Sequence, residues 1–175
     1  MGLVKPMRFA YADPPYPGYA GYYKNDPRAA EVDHAKLIGD LYAQFPDGWA
    51  LSTYTNQLRN LLPLCNEDIR TLAWVKPWCS WKPGNRVTYA WEPVIVHGGR
   101  KKLPGRNRTV RDWVAVNMTQ GTGLIGAKPR KFAQWVFDVL GALPGDELVD
   151  MYPGTGGVTR AWKDYTARRT LEVDA

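Results

Sequence analysis

Glu147-Leu148-Val149-Asp150-Met151-Tyr152-Pro153-Gly154-Thr155-Gly156-Gly157 is an apolar run that ends on an acid and breaks into a glycine loop. The residues after it, through Trp162, read as a helix. Strand, glycine loop and helix in that order are the ingredients of an α/β ligand site. Glycines permit positive φ and close backbone approach, and a helix start offers unpaired N–H groups to an anion. On its own the loop reads equally well as a tight strand-to-helix turn. No lysine follows the glycines, which disfavours a triphosphate-binding P-loop.

Working outward, further short apolar runs alternate with helical patterns. Strands are expected at 7–12, 49–54, 71–76, 89–97 and 147–152, with a last short one at 170–173. Pro93 inside the fourth suggests a bulge or an edge position. Asp33 can cap a helix bearing Leu37, Ile38, Leu41, Tyr42 and Phe45. Thr55 or Asn56 can cap one bearing Leu58, Leu61, Leu62 and Cys65. Pro129 suits the first turn of a helix with Phe132, Trp135, Val136, Val139, Leu140 and Leu143 at helical spacing. This alternation implies a mostly parallel sheet with crossover helices, whose ligands bind beyond the carboxyl ends of the strands. The first strand ends in Asp13-Pro14-Pro15-Tyr16. The prolines fix the backbone there, an Asp oxygen and a carbonyl can accept from one exocyclic amino group, and a tyrosine ring can stack on a flat base. As four residues alone, they read more simply as a turn after a strand.

The chain has 175 residues, a length that suits one domain. Its 45% hydrophobic and 23% charged residues exclude wholesale disorder. No apolar run approaches the ~20 residues of a membrane span, so no membrane partner is expected. No secretory signal is visible, and Cys65 and Cys79 have no metal spacing. They read as reduced thiols in a cytoplasmic protein. His34 and His97 have no ligand-like neighbours, so no metal is expected. The net charge is +6, from 23 Lys and Arg against 17 Asp and Glu. Residues 98–111 (GGRKKLPGRNRTVR) hold Arg100, Lys101, Lys102, Arg106, Arg108 and Arg111 and no acid; without those six the chain is balanced at 17 of each sign. The stretch reads either as a solvated loop or as a contact for a phosphate backbone.

The two motifs together, Asp-Pro-Pro-Tyr and Asp-x-aromatic-x-Gly-Thr-Gly, resemble those of amino-group DNA methyltransferases that use S-adenosylmethionine. Their order here resembles the circularly permuted beta class of adenine-N6 enzymes, and is similar to the related Asp-Pro-Pro-Trp adenosine methyltransferases, some of which modify RNA. Leu72-Ala73-Trp74-Val75-Lys76-Pro77, Tyr89-Ala90-Trp91-Glu92-Pro93-Val94-Ile95-Val96 and Lys128-Pro129 resemble intervening motifs of the same enzymes, so the resemblance covers nearly the whole chain. Met151 and Gly157 depart from the family's usual Pro and Thr.

The resemblance implies a Rossmann-like class I methyltransferase sheet, circularly permuted and truncated at the C-terminus, in a single domain over 1–175. Residues 98–127 would form a basic loop or minimal target-recognition region. It implies N6 methylation of adenine in DNA, with RNA adenosine or cytosine N4 as alternatives; cytosine enzymes usually carry Ser where Asp13 stands. An inactive methyltransferase-like subunit that binds nucleic acid or a partner is the alternative of another class, and a homodimer or partner subunit would suit an enzyme without a large recognition domain. Catalysis would fall to Asp13, Pro14, Pro15 and Tyr16. S-adenosylmethionine would be held by Asp150, Tyr152, Gly154, Thr155 and Gly156, with Lys128 near its carboxylate and Glu172 on its ribose. Nucleic acid would meet Tyr19, Tyr22, Lys82, Arg86 and the six basic residues of 98–111.

Overall fold

The structure is a computed structural model and describes residues 4–15, 32–79, 83–84, 86–101, 109–118 and 127–173, the last four by backbone alone. Tyr16, Tyr19, Tyr22, Lys82, Lys102, Arg106 and Arg108 lie outside the described residues.

Near-continuous apolar runs at 9–12, 49–51 and 94–96 are buried on both faces, which places helices on both sides of the sheet. The strands are β1 (Arg8–Ala12), β2 (Gly48–Ser52), β3 (Ile69–Val75), β4 (Trp91–Gly98), β5 (Trp113–Ala115) and β6 (Glu147–Asp150), in the order β5-β3-β4-β2-β1-β6. One face carries Phe9, Tyr11, Ala50, Leu72, Trp74, Val94, Val96 and Val114. It packs on α3 (Arg130–Leu140) and α4 (Gly157–Val173) through Phe132, Trp135, Val136, Val158 and Tyr165. The other face carries Ala10, Ala12, Trp49, Leu51 and Ile95. It packs on α1 (His34–Gln44) and on α2 (Leu58–Leu61), which is flanked by 3₁₀ turns. Asp33 caps α1, accepting from the Lys36 amide at 3.0 Å. No helix of the described residues is long and apolar enough to cross a membrane.

Three of the five strand pairings are parallel, as expected of a mostly parallel sheet, and four other expectations need correction. β1 runs parallel to β2 and β6, and β3 to β5, but β4 is antiparallel to both β2 and β3. Among the described residues no helix separates β3 from β4, and the chain returns antiparallel. β4 is therefore internal, and Pro93 sits inside it opposite Ala73. The Pro93 carbonyl accepts from the Thr53 amide at 3.1 Å. Its missing N–H faces Thr53 on the same side, so the reciprocal bond is not made and the β2–β4 pairing stops at Ser52 and Val94. Within 98–127, residues Trp113–Ala115 are not loop but the edge strand β5. The expected strand at 170–173 is the end of α4. Glu172 therefore lies fifteen residues along a helix from Gly157, roughly 22 Å from the glycine loop at 1.5 Å per residue. That placement takes it away from a ribose held at the loop.

Arg100 is the fourth correction. Its guanidinium is 9% exposed and meets Asp146 Oδ1 at 2.6 Å, with further bonds to the carbonyls of Gly141 and Lys5. Asp146 also accepts from the Met7 and Leu143 amides. The pair staples the start of β1 and β6 to the end of β4 and is not available to phosphate. Gly98, which precedes it, has φ +66°, and a Cβ there would lie 2.8 Å from the Asp47 carbonyl. Only glycine lets β4 end so close to the start of β2. Removing one member of a buried pair strands the other. Arg100→Met should cost about 3 kcal/mol in urea unfolding. Lys101→Met, at an exposed position in the same stretch, should stay within about 0.5 kcal/mol. Equal effects would contradict the staple.

Candidate active site at the carboxyl edge of the sheet

Strand alternation puts Asp13, Glu92, Trp74 and Asp150 on the α3/α4 face at the carboxyl ends of the parallel strands. The chain entering α3 drops Lys128 among them. Its ammonium lies 2.9 Å from Asp13 Oδ1 and 3.7 Å from Glu92 Oε2, and its side chain is 5% exposed. Glu92 Oε1 accepts from Lys76 Nζ at 2.7 Å, and this pair is buried too. Both ammonium groups also sit near the Trp74 ring, Lys128 at 5.3 Å and Lys76 at 5.6 Å from its centroid. Lysines and carboxylates thus alternate as Asp13, Lys128, Glu92, Lys76. Beneath them the Tyr11 hydroxyl pairs with Ser52 Oγ at 2.8 Å, fully buried.

The charges are crowded enough to move protonation. Burial pushes the Asp13 carboxyl above its ordinary value, Lys128 pulls it part of the way back, and Glu92 and Asp150 add to the rise. Burial, with Asp13 next, lifts the Tyr11 phenol well above its usual value. Burial also raises Asp150, against a counteracting hydrogen bond from Thr159.

Asp150 ends β6 beside Tyr11 of β1. Its Oδ2 accepts from Thr159 Oγ1 at 2.9 Å, while Oδ1 is buried without a partner. An orphaned carboxylate oxygen at a strand end asks for a donor from outside the fold. The loop that follows turns on Gly154 and Gly156, at φ +47° and +73°, which a Cβ would strain. Arg160 braces this loop by donating to the Thr155 carbonyl at 2.7 Å. Tyr152 is half-buried against the α1 side, and burial raises its phenol. These residues fit a ligand carrying both N–H or O–H donors and a small polar group for the loop amides.

The structure therefore brings together Asp13, Pro14, Pro15, Lys128, Asp150 and the glycine loop. It places Lys128 on Asp13, where the sequence suggested a ligand carboxylate, and adds Glu92, Lys76 and Arg160. The first two stood inside quoted motifs, but their pairing across β3 and β4 is a register property that spacing does not show. The described residues of the basic stretch do not join them. Gly98 pairs with Gly48 at the opposite end of the strands. That is four residues, roughly 13 Å, below the level of Asp13. Lys101 is exposed there. Arg111 is exposed at the β5 edge, its guanidinium 5.3 Å from the centre of the Trp113 ring.

Comparison with known proteins bears on the fold. No protein-family model matches the chain, and no curated protein does. A crystal structure of the M1.HpyAVI–SAM complex is similar at a TM-score of 0.65 and 14% identity, covering 91% of this chain and 79% of that one. A crystal structure of M1.HpyAVI gives 0.57 at 14% identity, covering 92% and 77%. The six-stranded α/β architecture is thus the fold of these two structures.

The raised Asp150 carboxyl has a stability consequence. A folded-state pKa above the unfolded one means that stability is lost as pH rises through the folded value. Asp150→Asn keeps an oxygen for Thr159 and removes the charge. It should raise the melting temperature at pH 8 by about 1–2 °C, since partial exposure to solvent screens the carboxylate. The gain should shrink toward pH 4. No gain at pH 8 would contradict the buried, unsatisfied carboxylate.

Proposed function

We propose that this chain transfers a methyl group from S-adenosylmethionine to the exocyclic N6 amino group of adenine in DNA. The observation that carries the reading is the convergence of Asp13-Pro14-Pro15 and the orphaned Asp150 on adjacent strand ends. The fold likeness to M1.HpyAVI, solved with SAM, supports it, and so do the five motifs in permuted order. S-adenosylmethionine, when bound, supplies a methyl group on a positively charged sulfur. Asp150 Oδ1 would accept from its donors and the amides of Gly154 and Thr155 would face its polar end, the Gly156 amide being held by the Pro153 carbonyl.

The chemistry left to the chain is orientation. An adenine amino nitrogen is a poor nucleophile because its lone pair is delocalised into the ring. Asp13 and the Pro14 carbonyl would accept its two N–H hydrogens, which favours a tetrahedral nitrogen with the lone pair free to attack. As the nitrogen–carbon bond forms, the carbon–sulfur bond breaks. The surplus proton on nitrogen then passes to Asp13 or to water. Tyr16 would stack on the base, which has to be unpaired or flipped out of a duplex. Lys128 offsets part of the rise that burial gives the Asp13 carboxyl, and Glu92 with Lys76 holds Lys128 in place.

Asp13→Ala should abolish transfer while leaving the thermal shift produced by S-adenosylmethionine largely intact. Unchanged transfer would remove Asp13 from the mechanism. Since ionised Asp13 is the acceptor and its carboxyl is raised, the rate should fall on the acid side at a pH above the ordinary carboxylate range. Lys128→Met removes the group that lowers it, so this limb should move further up in pH–rate profiles.

A further inference from the structure

The carboxyl edge carries exposed aromatic rings that neither core cluster uses. Trp78, 59% exposed, follows β3, and its amide donates to Asn117 Oδ1 at 2.8 Å, tying that turn to the residues after β5. Trp91, 38% exposed, opens β4 level with Val75. Tyr89 is 44% exposed and its ring centre lies 4.8 Å from that of Tyr54, which follows β2. With the strand order β3-β4-β2-β1, these rings step along the edge from β3 to β2. The next strand end is the Asp13 turn. Single exposed apolar residues need no explanation, but a contiguous row of them marks an interaction surface.

Charge selects the occupant. The described residues of the connections at this part of the edge, within 53–57 and 76–90, include Lys76 and Arg86 and no acid. Lys76 is engaged by Glu92, whereas Arg86 is exposed. Flat rings together with an exposed guanidinium suit nucleobases joined by phosphates. A duplex hides its base faces in its own stack, while an unpaired strand offers them. We infer that Trp78, Trp91, Tyr89 and Tyr54 form a stacking track that leads an unpaired nucleic-acid strand to the Asp13 turn. The direction of the track rests on the proposed function; the binding does not.

The test is fluorescence anisotropy without cofactor, using labelled adenine-containing oligonucleotides of about 15 nucleotides. Single-stranded DNA, single-stranded RNA and the matched DNA duplex are compared at fixed salt. The unpaired strand should bind at least about tenfold tighter than the duplex, and the DNA and RNA arms identify which strand it is. Trp78→Ala with Tyr89→Ala should weaken single-strand binding by about tenfold or more, the scale of one lost stacking ring. Trp78→Phe should retain most of it, and the melting temperature should be preserved in both. Duplex binding as tight as single-strand binding, or full affinity in the folded double variant, would overturn the track. Should the double variant not fold, Trp78→Ala alone decides in the same way. Loss of methyl transfer with the track intact would instead count against the catalytic reading.

Discussion

An ammonium buried between two carboxylates organises this molecule. Lys128, on the chain entering α3, meets Asp13 at the end of β1 and Glu92 at the start of β4, and Glu92 in turn holds Lys76 at the end of β3. Charges taken out of water are costly unless they are paired with good geometry. Each member therefore constrains the others. The register of β3 against β4 has to be the one that sets Trp74 opposite Glu92, and the loop before α3 has to return to the centre of the sheet. The arrangement also offsets part of the rise that burial gives the Asp13 carboxyl.

Such a network belongs to one end of the sheet, and the opposite end is built differently. There the Arg100–Asp146 pair and the close approach of Gly98 to β2 staple strand starts together. One end holds the charges that the proposed chemistry would use and the other holds charge that serves folding. Net charge alone does not separate the two. The basic stretch contributes Arg100 to the structural end, while the carboxyl end carries exposed aromatic rings.

Much of this was legible in the residues. Strongly periodic segments such as Phe132 to Leu140, and strands bounded by prolines such as 7–12, read correctly because local pattern and tertiary environment agree. Asp13 and Asp150 stood out because each closes an apolar strand. What failed was non-local. β5 has three residues, too few for alternation to register. Thr170 to Val173 has strand-like composition, but helix α4 simply continues through it. Pro93 argued for an edge only until the end of β2 showed where its missing N–H points. Arg100 looked like its basic neighbours because burial against Asp146, 46 residues away, leaves no mark in the sequence.

The most direct measurement uses S-adenosylmethionine labelled in its methyl group, incubated with the protein and single-stranded or duplex DNA, followed by mass spectrometry of the digested nucleosides. The account predicts label on N6-methyladenine, and none from protein with Asp13→Ala. Label on another nucleoside, or on no nucleoside at all, would contradict it.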